Sequence, residues 1–186
     1  MRLYNHDVII TVSGMGKVRA GMLTSVIFDN FQNIDFFINN GISGGVSRYT
    51  KPGTCVIGCN YSFGDVDVTF DGVSKYGQLD YLPRTFTGDK HLIDLLKKEN
   101  IEDVIFGDIL TGDKFYTDFD ETENIINKYF SDLKVCAFDM ESTAFAMGAY
   151  MYHCPFIAIR AISDVIGVEN QTDKYYENSI KSSEIA

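Results

Sequence analysis

The sequence predicts an α/β fold on a mainly parallel sheet. Continuous apolar runs of the buried-strand kind recur at 34–40, 54–63, 103–110, 133–139 and 155–163. Segments with helical spacing lie between most of them, and strands that alternate with helices favour parallel pairing. No repeat, low-complexity tract or linker interrupts the 186 residues, so one domain with its own core is expected over 1–186.

The elements follow in order. DVIITV (7–12) is the first expected strand, closed by the small turn Ser13-Gly14-Met15-Gly16. A helix should run from Lys17 to Phe31, with Val18, Met22, Val26 and Ile27 on its inner face. IDFFINN (34–40) is a strand leading into a glycine-rich turn, Gly41-Ile42-Ser43-Gly44-Gly45, and TCVIGCNYSF (54–63) is another strand. Residues 64–86, with Gly64, Gly72, Gly77 and Pro83, form a long loop of functional character. HLIDLLKKEN (91–100) is an amphipathic helix and DVIFGDIL (103–110) a strand, followed by the turn Thr111-Gly112-Asp113. ENIINKYF (123–130) is a short helix, LKVCAFD (133–139) a strand, and Met140 to His153 a helix apolar almost all round. PFIAIRAIS (155–163) is a strand ending on Asp164, and the tail from Thr172 is helical.

Composition narrows the function. A formal net charge of −10 without any Lys/Arg cluster argues against a nucleic-acid groove or an anionic membrane surface. No apolar run is long enough to span a bilayer. Cys55 and Cys59 share a strand, with α-carbons roughly 13 Å apart if extended, too far to bridge. With Cys136 and Cys154 they read as reduced structural cysteines, which suits the cytoplasm. The histidines show no ligand spacing and there is no CxxC pair, so no metal site is expected.

Two glycine motifs fail the phosphate-loop tests. Ser13-Gly14-Met15-Gly16-Lys17 has Thr11 where a Walker motif needs glycine and Val18 where it needs Ser or Thr. Gly41 to Gly45 follows a strand but is not GxGxxG. It is either a tight turn with positive φ or a stretch brought close to a ligand.

The chemistry concentrates in residues 138–167. Asp164 ends an otherwise apolar strand, where a carboxyl group is costly unless hydrogen-bonded or useful. It is a helix cap, an ion-pair partner of Arg160, or an acid whose raised pKa lets it donate a proton near neutrality. Glu141 either complements a helix dipole or accepts bonds from vicinal hydroxyls with its two oxygens. Met140 is core or a soft contact to a sugar face, and Phe115 and Tyr116 are core aromatics or a stacking platform. Ser142, Thr143 and Ser163 lack a histidine at a telling spacing, so triad chemistry has no support.

Taken together, SGMGKV (13–18), NNGISGGV (39–46), DVDVT with YGQL (65–69 and 76–79), TGDKFY (111–116) and FDMEST with RAISDV (138–143 and 160–165) carry a resemblance. The chain resembles the 5′-methylthioadenosine/S-adenosylhomocysteine nucleosidases of the nucleoside phosphorylase superfamily. The resemblance implies a three-layer α/β sandwich whose mixed, strongly curved central sheet is flanked by helices. It implies hydrolysis of an N-glycosidic bond to release adenine, with water as co-substrate, no cofactor, and a homodimer.

It also implies roles. Asp164 protonates adenine at N7 and Ser163 holds that carboxyl group. Glu141 grips the ribose hydroxyls with Met140 against the sugar. Phe115 stacks on adenine and the Tyr116 backbone reads its edge. Gly44 lines the site, Arg160 faces the attacking water, and Met15 touches the sugar and alkylthio end. The resemblance further implies an opening strand that ends in methionine and glutamates, one of them activating the water. This chain starts after that point, so that glutamate, that strand and the helix behind it are expected to be missing, and the last helix to stop early. Ile42 stands where the family has a small polar residue.

Two rivals remain. A purine nucleoside phosphorylase shares the scaffold but needs a basic phosphate site, and only Arg48 is near the glycine stretch. A catalytically inert nucleoside-binding homologue is the other.

Overall fold

The computed structural model describes residues 1–185. Strands β1 (Arg2–Leu3) and β2 (His6–Asp7) form a small antiparallel ladder. Then come α1 (Lys17–Asn30), β3 (Phe37–Gly45), β4 (Cys55–Phe63), β5 (Thr85–Thr87), α2 (Lys90–Lys98) and β6 (Val104–Thr111). The chain continues with α3 (Phe119–Tyr129), β7 (Val135–Asp139), α4 (Ser142–Met151), β8 (Phe156–Val165) and α5 (Gln171–Ile185).

The main sheet has the order β5-β4-β6-β7-β3-β8 and is mixed. Pairs β3–β8, β4–β6 and β6–β7 are parallel, whereas β3–β7, β4–β5 and β4–β8 are antiparallel. The expected curvature goes as far as closure. Cys55–Ile57 of β4 pair with Ile159–Ala161 of β8, while residues 60–62 of β4 pair with β5. Strands β4, β6, β7, β3 and β8 therefore join in a ring. Register shifts at Gly58/Tyr61, Asp108/Ile109 and Ser43/Gly44 mark the bulges that let the strands bend so sharply.

The core that joins these strands to α1 and α4 gathers Val56, Tyr61, Ile109, Ala137, Ala158 and Ile162, all fully buried. Tyr61 pays no penalty for its hydroxyl, which donates to Gly58 O at 2.7 Å and accepts from Ala158 N at 2.7 Å. Helix α4 buries Ala144, Phe145, Ala146 and Ala149, and a side chain of Phe145's size contributes roughly 1.5–3 kcal/mol on leaving water. Gly148 admits α1 closely, since a β-carbon there would lie 2.4 Å from Thr24 Cγ2. Helices α2 and α3 start on aspartate caps: Asp89 accepts from Leu92 N and Asp118 from Glu121 N.

Several expectations need correction. Residues 8–12 form no strand: Val8 exchanges main-chain bonds with Met1, but Ile9, Ile10 and Val12 beyond it are exposed, so apolar alternation alone did not suffice. On α1 it is Ala20, Thr24 and Ile27 that are buried, while Val18, Met22 and Val26 are exposed. Both sets are helically spaced and lie on opposite faces, because two positions turn the helix by about 200°. Contact with α4 selected the small-residue face. Gly41 to Gly45 is not a turn but the second half of β3, and none of its glycines has positive φ. The loop at 64–86 holds a short 3₁₀ turn (Thr69–Asp71) and the start of β5. Asp164 lies within β8, which runs on to Val165.

Candidate active site

Met15, Gly44, Phe115, Tyr116, Met140, Glu141, Arg160, Ser163 and Asp164 all line one cleft of 1660 Å³. Five separate elements bring them there. Beyond this cluster the cleft continues between residues 5–12 and 30–38, along β3. Its size exceeds the roughly 300–1,000 Å³ of an ordinary small-molecule site.

Asp164 is fully buried on β8. The register of β8 on β3 steps from Ser43↔Ile162 to Gly44↔Asp164, so Ser163 is an extra residue in the ladder. A bulge of this kind breaks strict side-chain alternation and brings neighbouring side chains together. Ser163 Oγ then donates to Asp164 Oδ1 at 2.6 Å. Gln171 Nε2, from the first residue of α5, donates to Oδ2 at 2.7 Å. Burial pushes the Asp164 pKa above the ordinary carboxylate range, against the lowering effect of these two bonds. Asp164 neither caps a helix nor pairs with Arg160.

Gly44 owes its place to close approach. A β-carbon there would stand 3.4 Å from Asp164 Oδ2 and 3.2 Å from Ile166 Cγ1. Gly45 is tighter, with Thr50 Oγ1 at 2.2 Å and Ile162 Cγ2 at 2.8 Å from its would-be β-carbon. Ser43 also lines the cleft, and its buried hydroxyl has no partner among the described residues.

Glu141 sits at the N-cap of α4 but does not cap it with its side chain. Its Oε1 accepts from Gly16 N at 2.7 Å. The turn that failed as a phosphate loop thus presents its amide to a carboxylate of the same chain. Lys17 completes the junction: its amide donates to Asp113 Oδ1 at 2.8 Å and its ammonium group to Asp65. Burial raises the Glu141 pKa, and the nearby Asp139 charge adds to the rise.

Behind Glu141 lies a buried polar network that sequence reasoning missed. Arg160 Nε donates to Asp139 Oδ2 at 2.8 Å, with both side chains almost fully buried. Thr111 Oγ1 donates to Asp139 Oδ1 at 2.6 Å, and Ser142 N points to both oxygens. Arg160 also bonds the Asn39 side chain. One carboxylate therefore aligns β6, the start of α4 and the guanidinium group in the cleft. The acid pair around Met140 was visible in the sequence, but nothing there told Asp139 from Glu141.

The aromatic pair divides. Phe115 is half-exposed and meets Tyr175 of α5 edge-on, with ring centroids 5.2 Å apart. The Tyr116 ring is buried against Phe138, and its main-chain carbonyl accepts from Gln171 Nε2 at 2.9 Å. Met15 is 63% exposed at the rim.

Comparison with known proteins fits this geometry. A model described as "Phosphorylase superfamily" matches residues 1–186. The 5′-methylthioadenosine/S-adenosylhomocysteine nucleosidase of Bacillus licheniformis is 38% identical over 184 residues, covering 95% of this chain and 77% of its own length. The chain belongs to the 5′-methylthioadenosine/S-adenosylhomocysteine nucleosidase family. Among solved structures, the Streptococcus pneumoniae nucleosidase with the transition-state inhibitor MT-ImmA superposes with a TM-score of 0.88 at 30% identity. That match covers 97% of this chain and 77% of the other. The Colwellia psychrerythraea nucleosidase in complex with adenine gives 0.80 at 30% identity, covering 93% and 73%.

Two polar residues stand out as invisible from sequence: Asn39, which lines the cleft, and Gln171, which touches the lining residues Tyr116 and Asp164 from behind. Gln171 opens a helix whose sequence has no motif, and Asn39 looks like any strand-edge amide. Among the described residues no helix is long and apolar enough to cross a membrane.

Proposed function

We propose that the protein hydrolyses the N-glycosidic bond of 5′-methylthioadenosine and S-adenosylhomocysteine, releasing adenine and a thioribose. The observation that carries this is the shared cleft of Asp164 and Glu141. One is a buried acid with a raised pKa and the other a carboxylate at the mouth of α4.

Breaking C1′–N9 builds positive charge on the ribose, as in glycoside hydrolysis. Adenine departs poorly as an anion, so Asp164 gives its proton to N7 as the bond lengthens. Glu141 accepts bonds from the 2′- and 3′-hydroxyls and holds the ring with Met140 against it. Phe115 stacks on the base, and the Tyr116 backbone reads its edge. Arg160, held by Asp139, faces the water that adds at C1′. The proton lost by that water passes to solvent, from which Asp164 is reprotonated, so the proton count closes without a cofactor.

Hydrolysis is preferred to phosphorolysis because the nearby arginines are already engaged. Arg48 pairs with Glu123 at 2.6 Å and Arg160 with Asp139. The test is adenine release from 5′-methylthioadenosine with and without phosphate. Equal rates support hydrolysis; release that requires phosphate points to a phosphorylase. Adenine binding without any release points to an inert homologue.

The working unit is a homodimer, supported by the exposed stripe Val18, Met22 and Val26 on α1, with Met15 beside the cleft. Such a stripe is costly to leave in water. Light scattering should report a dimer, and Met22→Asp should yield monomers. The free cysteines 55, 59, 136 and 154 suit a reducing cytoplasm.

A further inference from the structure

Gln171 is 5% exposed, and all of its polar atoms are engaged. Its Oε1 accepts from Gly167 N at 2.9 Å. Its Nε2 donates to Tyr116 O at 2.9 Å and to Asp164 Oδ2 at 2.7 Å. The three partners agree on the orientation of the amide: one is a donor facing the oxygen, and two are acceptors facing the NH2.

The contact falls at a sensitive point. Ser163 holds Asp164 Oδ1, so Oδ2 is the oxygen left to meet a ligand. While the amide N–H occupies that direction of Oδ2, a carboxyl proton cannot point along it. A base can therefore take a proton from that side only after the carboxamide has moved. The NH2 group also bridges a main-chain carbonyl and a carboxyl oxygen. A planar exocyclic amine on a purine would be met by those same two acceptors.

We propose that Gln171 is an internal occupant of the base-recognition site, filling the acceptor pair Tyr116 O and Asp164 Oδ2 until adenine displaces it. It is then an affinity-setting residue, and this rests on Asp164 being the acid of the proposed reaction. Burial and the amide bond pull the Asp164 pKa in opposite directions, so withdrawal of the amide also makes the acid easier to protonate.

The fold permits the movement. Helix α5 is tied to β8 further along, through Asn178 Nδ2 to Ser163 O and Ser182 Oγ to Ile162 O, both at 3.1 Å. Gln171 lies ahead of those ties. The connection before it carries left-handed residues at Gly167 and Asn170. Rotation about the three side-chain bonds of the glutamine would carry the amide off Oδ2.

The experiment is calorimetric titration of adenine into the full chain and into Gln171→Ala and Gln171→Met. If the plugged form makes up about nine-tenths of the free protein, its removal tightens adenine binding about tenfold. Met keeps the length of the side chain and decides the matter should Ala fail to fold, as thermal melting would report. 5-Methylthioribose, which has no base edge, should bind wild type and variants alike. Unchanged or weaker adenine binding in a folded variant overturns the proposal. So does equal tightening of both ligands, which would mean general loosening of the site. If neither wild type nor variants bind adenine, the adenine-site reading itself fails and the proposal falls with it.

Discussion

Replacing Asp164 by Asn exchanges one oxygen for an NH2 group in a fully buried side chain and keeps its shape. Two donors reach it, Ser163 Oγ at 2.6 Å and Gln171 Nε2 at 2.7 Å. The amide oxygen can keep Gln171, while the Ser163 hydroxyl accepts from the new NH2 and turns its own hydrogen to Ser43 O at 3.3 Å. The variant also no longer buries an ionisable group, so it should fold. The chemical loss is larger. A general acid typically contributes roughly 10²–10⁴-fold. That is about 2.7–5.4 kcal/mol of barrier at 1.36 kcal/mol per factor of ten. Adenine release followed under single-turnover conditions should slow by that factor, while substrate binding changes far less. Turnover within about threefold of wild type would refute the assignment, because a proton donor cannot be lost without changing the step it serves.

The remaining predictions concern the shell around that acid. Glu141→Gln should raise KM and lower kcat together, each by about tenfold, because the ribose grip acts before and during bond breakage. Asp139→Ala leaves the Arg160 guanidinium buried without its partner and should cost about 3–5 kcal/mol in urea unfolding. Gly45→Ala puts a methyl group 2.2 Å from Thr50 Oγ1 and should cost roughly 1–3 kcal/mol, seen as a lowered Tm. The folded protein holds the protons of Asp164 and Glu141 to higher pH than the unfolded chain does. Their stabilising contribution is therefore full below the ordinary values of 3.8 and 4.5 and is lost as pH rises through the raised ones. Asp164→Asn should flatten part of that fall, as measured by denaturant titration at acid and neutral pH.

Much of the scaffold was legible in advance. Buried strands such as 54–63 and 155–163 announce themselves because both faces must be apolar. Most of the helices between them showed the spacing of one buried face, and β6, β7 and α4 fell within a few residues of expectation. Where two apolar faces compete, as on α1, periodicity cannot say which one meets a neighbour. Where a strand depends on a partner, as at 8–12, composition cannot supply the partner. The glycines of β3 were ambiguous for a similar reason: a turn and a crowded strand both forbid a side chain.

The amino-acid order by itself determined the alternating α/β plan, a net charge of −10, and a pair of acids placed near the ends of two strands. Those are local properties, written in spacing and residue type. Only the tertiary structure decided that the sheet closes through β4 and β8 and that a bulge sets Ser163 beside Asp164. It also decided that Asp139 holds Arg160 and that an amide from α5 sits on the acid. Each of these joins residues through space rather than along the chain, and their geometry exists only once distant strands have chosen a register.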